Sequence, residues 1–109
     1  MDKPFVLRYL PIFYDDLSKT ISYISKMLNN PRAANKLINS IEKAIIERLP
    51  MTDKFAKYHS LKERKYPYYY IHVNNYVIYY VVIETSDKKI MEVRRLLHSL
   101  QNRNNIIYI

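Results

Sequence analysis

The sequence predicts a two-layer α+β domain: an N-terminal strand, a two-helix hairpin, then a three-stranded antiparallel meander forming a twisted sheet. Three observations predict it. Apolar residues recur at helical spacing between Phe13 and Leu49, and strand-favouring residues crowd Tyr66 to Leu97. Prolines or asparagine pairs stand where the period changes.

Phe5-Val-Leu-Arg-Tyr-Leu10 favours a strand that stops at Pro11. Phe13, Leu17, Ile21, Ile24 and Leu28 then trace the stripe of an amphipathic helix. Asn29-Asn30-Pro31 breaks it, with Asn30 placed as N-cap and Pro31 as the first residue of the next helix. In that helix Ala34, Leu37, Ile38, Ile41, Ala44, Ile45 and Leu49 share one face, which ends at Pro50. Met51 to Lys65 reads as a polar, basic loop. The strands follow as Tyr66 to Val73, Tyr76 to Glu84 and Ile90 to Leu97, joined by turns at Asn74-Asn75 and at Thr85 to Lys89. Asparagine tolerates the left-handed region, so Asn74-Asn75 makes a tight hairpin turn without glycine. Both helices must cover one face of the sheet to bury their stripes, which leaves its second face available.

The 109 residues suit one domain, with a tail at about 99–109. Apolar residues at 49% and charged residues at 26% indicate a folded globule. No apolar run is long enough to span a bilayer, and Met1-Asp2-Lys3-Pro4 opens no signal peptide, so the cytoplasm is the expected location and no membrane partner is expected. The net charge of +8, from 18 basic and 10 acidic residues, suits an anionic partner. There is no cysteine, hence no disulfide framework or thiolate chemistry. There is also no glycine, which excludes a Walker A loop, a dinucleotide fingerprint and the nucleotide-dependent chemistry they serve. No cofactor is expected.

The chemistry-bearing residues are few. The twelve tyrosines fit a base-stacking platform, but also a small core whose rim keeps hydroxyls wet. Along the hairpin, Tyr68, Tyr70, Tyr76 and Tyr80 are expected to oppose Tyr69 and Tyr79. His59, His72 and His98 lack metal-ligand spacing, so no metal site is expected. In a meander His72 and His98 reach one edge of the sheet. A histidine base there beside Arg95 would suit RNA cleavage, which makes His98, Arg95 and His72 the catalytic candidates for that chemistry alone. Arg95 and His98 begin on opposite faces of a regular strand, and a bulge would bring them together. Lys62, Arg64, Lys65, Arg94, Arg95 and Tyr108 are the candidates for contact with a target or nucleic acid. The carboxylates are dispersed: Asp15-Asp16 suit the start of a helix, and nothing pairs Glu84 with Glu92.

Three blocks carry a resemblance. Asp16-Leu17, Ile21, Tyr23-Ile24, Leu28, Asn30-Pro31, Ala33-Ala34 and Ile41 resemble the opening helical hairpin of RelE/ParE toxins. Asn75-Tyr76-Val77-Ile78-Tyr79-Tyr80 looks like that family's central strand, and Val93-Arg94-Arg95-Leu96-Leu97-His98 like its last. The resemblance implies the toxin of a type II toxin–antitoxin system, which arrests growth, stabilises plasmids and is held in a hetero-oligomer by a small cognate antitoxin with an acidic segment. RelE-like members cut mRNA in the ribosome with basic residues on the middle strands and a C-terminal tyrosine. Aligned on Tyr70-Ile71-His72-Val73, those basic positions fall on Tyr70, His72 and Val77, so the basic set is not reproduced. The Leu-His ending and uncharged middle strand look more like ParE members, which poison DNA gyrase, although Ser99-Leu100-Gln101-Asn102 replaces the glycine and arginines that often follow. A gyrase inhibitor is favoured. A ribosome-dependent mRNA endoribonuclease and a non-toxic nucleic-acid- or protein-binding module of the same fold stay open.

Overall fold

The structure, a computed structural model, describes residues 3–54 and 66–100. Strand β1 (Phe5–Tyr9) leads into helix α1 (Pro11–Ser22), whose last turn widens into a π-helical turn at Tyr23–Met27. Helix α2 (Pro31–Arg48) ends in a 3-10 turn at Leu49–Met51. Strands β2 (Tyr69–Val73), β3 (Tyr76–Glu84) and β4 (Lys89–His98) complete the sheet.

Local chemistry accounts for the boundaries. Pro11 opens α1, since the first helical residue needs no N–H. Asn30 caps α2 as its sequence position suggests, its Oδ1 accepting from the Ala33 N–H at 3.1 Å. Two asparagines do the work of glycine: Asn29 between the helices has φ 49° and Asn74 in the hairpin turn φ 53°. Replacing Asn74 with alanine should therefore cost about 1 kcal/mol, and replacing it with glycine should be neutral or mildly stabilising. Urea denaturation of the two variants checks the ordering.

The π turn changes one reading. Leu28 N–H bonds to the Tyr23 carbonyl, five residues back, at 3.1 Å. The wider turn rotates Leu28 off the apolar stripe, and it stands 56% exposed, whereas Phe13 is buried and Leu17, Ile21 and Ile24 pack on the core.

The sheet order is β1-β4-β3-β2. β2, β3 and β4 form the expected antiparallel meander, but β1 pairs with β4 in parallel, from Phe5 opposite Lys89 to Tyr9 opposite Val93. The sheet is thus mixed. Strict up-and-down alternation is imposed only by short connections, and the long connection between α2 and β2 releases it.

The main core lies between helices and sheet. Phe13, Leu37, Ile41 and Ile45 meet Tyr69, Ile71, Ile78, Tyr80, Met91, Val93 and Leu96. The two-residue turn sets Tyr69 opposite Tyr80 and Tyr70 opposite Tyr79. Tyr69 and Tyr80 therefore share the helix face, stacked at 5.3 Å, and Tyr76 joins that side, while Tyr68, Tyr70 and Tyr79 lie on the outer face. This corrects the expected grouping of Tyr68 and Tyr70 with Tyr76 and Tyr80. The outer face is not left available either: Tyr68, Val77, Tyr79, Val81 and Leu97 form a second cluster exposed by 2% or less. Its tyrosines serve as packing residues rather than as an open stacking platform.

The end of α2 is fastened to the sheet by one polar network. The Tyr80 hydroxyl donates to the Thr52 carbonyl at 2.7 Å and accepts from Arg48 at 3.0 Å, and Arg48 also donates to the Tyr70 carbonyl. Burial pushes the Tyr80 phenol up despite Arg48, so it stays a neutral donor.

Candidate functional site

Strand β4 carries the chemistry, and a bulge interrupts its register among the charged residues. Tyr79 pairs with Arg95 but Tyr80 pairs with Val93, so one residue of β4 is left over at Arg94.

On the outer face, buried Glu92 sits between two arginines. Its Oε1 accepts from Arg94 Nε at 2.8 Å, and its Oε2 accepts from Arg8 Nε at 2.8 Å and from Arg8 Nη2. Arg94 also lies over the Tyr68 ring, 5.8 Å from its centroid. Burial alone would push the Glu92 carboxyl up; the hydrogen bonds from Arg8 and Arg94 outweigh it and hold the group below the usual carboxylate value. The sequence offered no partner for Glu92, since the parallel pairing that sets Arg8 opposite it is a tertiary event.

Arg95, opposite Tyr79 of the outer face, reaches Asp16 on α1. Its Nε and Nη2 donate to the two carboxylate oxygens of Asp16 at 2.7 and 2.9 Å, and the Leu96 N–H donates to the same carboxylate at 3.0 Å. Both side chains are about nine-tenths buried, at 10% and 12% exposure. Asp16 was legible only as a helix-start residue, although it and Arg95 both stand in the blocks that carry the family resemblance.

His98 closes β4 on the helix face. Its ring packs edge-on to Tyr76 at 5.3 Å, and its Nδ1 accepts from the Leu100 N–H at 3.2 Å. His98 lines a cleft of about 290 Å³ with Lys19, Thr20, Tyr23 and Tyr76. The bulge lies at Arg94, and the register with β3 is regular from Arg95 to His98. Arg95 (opposite Tyr79) and His98 (opposite Tyr76) therefore stay on opposite faces, unlike the arrangement RNA cleavage would require, and Arg95 is taken up by Asp16. His72 is exposed on β2 and packs against Tyr70 at 5.4 Å on the outer face. The two histidines reach the same end of the sheet but from opposite faces, with β3 between their strands. Lys62, Arg64, Lys65 and Tyr108 lie outside the described residues, as does His59. Among the described residues no group of three or more His, Cys, Asp or Glu is placed to hold a metal ion.

A two-helix hairpin over a mixed four-stranded sheet, with the last strand anchored to the first helix through an Arg–Asp pair, defines a fold of the RelE/ParE kind. The chain matches the model of the ParE toxin of type II toxin–antitoxin systems over residues 7–103, and it belongs to that family. It is the toxin of a type II toxin–antitoxin system, a class paired with an antitoxin. A comparison with curated proteins finds no match. Among the described residues no helix is long and apolar enough to cross a membrane.

Proposed function

We propose that the protein arrests bacterial growth by binding and inhibiting DNA gyrase, acting in the cytoplasm until a small antitoxin occupies it. The observation that supports this reading is the state of Arg95. A guanidinium held in two bonds by a buried carboxylate is not available to neutralise a cleaved phosphate. The remaining residues point the same way. β2 and β3, from Tyr69 to Glu84, contain no lysine or arginine. His98 accepts from the Leu100 N–H through Nδ1 and lies on the face opposite Arg95, and His72 is on another strand, so neither is set beside Arg95 as a general base.

In this reading Arg94 and Arg95 act inside the fold, and contact with gyrase or with an acidic antitoxin segment is assigned to Lys62, Arg64, Lys65 and Tyr108. Induced expression of the chain without antitoxin should stop growth, with DNA synthesis falling before RNA and protein synthesis. His98→Ala should leave that arrest within about threefold of the parent, far from the hundred-fold or greater loss that removal of a general base brings. Protein synthesis failing first, with His98→Ala inactive, would support the ribonuclease instead. Unimpaired growth at high soluble expression would support the non-toxic module.

A further inference from the structure

We infer that the cleft at the end of β4, lined by Lys19, Thr20, Tyr23, Tyr76 and His98, is a binding site for a phosphate group. Each of these five side chains carries an N–H or O–H donor and none carries a carboxylate. They come from two elements locked together: the Asp16–Arg95 pair, one turn before Lys19 on α1 and three residues before His98 on β4, fixes the separation of the cleft's walls. The same pair consumes Asp16, the buried carboxylate nearest the cleft along α1, so its charge does not oppose an anion. Lys19 has no ion-pair partner among the described residues.

The hydroxyls are also in the required form. Burial, and then the neighbouring Tyr23 phenol, push the Tyr76 phenol up, so it remains a donor at neutral pH. One ammonium and three hydroxyls suit a tetrahedral oxyanion with several acceptors better than a planar carboxylate. The space of about 290 Å³ exceeds a lone phosphate, and Tyr23, 53% exposed, offers a ring on which a base can stack. The phosphate has two possible sources, the free ion and a nucleotide. The assignment is independent of the gyrase reading.

The test is an NMR titration of the full chain, following the Leu100 N–H and the His98 ring, with inorganic phosphate, adenosine 5′-monophosphate, adenosine and glutarate. Saturable shifts with both phosphate compounds are expected, and none with adenosine. Lys19→Ala, an exposed change that leaves the helix intact, should weaken phosphate binding about tenfold. Tighter binding of the monophosphate names a nucleotide as the source, and equal binding names the free ion. Glutarate binding as well as phosphate, or shifts that do not saturate or survive Lys19→Ala unchanged, would overturn the assignment.

Discussion

Asp16→Ala is expected to destabilise the protein by about 3–5 kcal/mol, the cost of leaving a buried arginine without its counter-charge. Arg95→Ala should cost a similar amount by stranding Asp16. The pair is bidentate, about nine-tenths buried on both sides, and also satisfies the Leu96 N–H, so neither partner can be rehydrated without opening the contact between α1 and β4. Removing both charges together, as Asp16→Leu with Arg95→Met, should recover much of the loss, because an apolar pair of similar volume avoids the desolvation of both ions. Denaturant unfolding of the three variants measures this. If Arg95→Ala unfolds at the parent's midpoint, the pair is not structural, and Arg95 returns as a candidate for contact with a target.

Glu92→Gln should cost about 2 kcal/mol at neutral pH, since it replaces an ionised acceptor of two arginines with a neutral amide. The same group predicts an acid dependence. Its folded value lies below the ordinary carboxylate value, so its contribution is fully present above about pH 4.3 and is lost as the pH falls through the lower folded value. Asp53, held down first by its hydrogen bond from Lys89, adds a loss in the same direction. Stability of the parent should therefore fall on acidification below that point, and Glu92→Gln should fall less steeply. Parallel curves for the two proteins would show that Glu92 is not held down by its arginines.

Asp16 and Glu92 mark where the sequence stops being legible. The elements themselves were readable, because periodicity, prolines and asparagine turns are local signals: β3 runs from Tyr76 to Glu84 as expected, and Asn30 caps α2. Leu28 was misplaced because a π turn leaves no mark in the apolar spacing. The parallel β1–β4 pairing was missed because strand direction across a long connection is settled by tertiary packing. The same applies to the site. His98, Arg94 and Arg95 could be picked out by residue type, but the partners Asp16 and Arg8 are distant in sequence, and the bulge at Arg94 has no sequence marker in a chain without glycine. The Tyr-rich strands fitted either a stacking platform or a small core, and burial of Tyr68 and Tyr79 at 1% and 0% exposure answers to the second reading.

In the proposed reading this toxin acts by binding gyrase and not by cutting RNA. Purified chain added to gyrase and relaxed plasmid, with ATP, tests it most directly. The expected result is loss of supercoiling that depends on toxin concentration, persists with His98→Ala, and is reversed by the antitoxin. Unchanged supercoiling at a large excess of folded toxin, accompanied by ribosome-dependent cleavage of mRNA that His98→Ala abolishes, would contradict it.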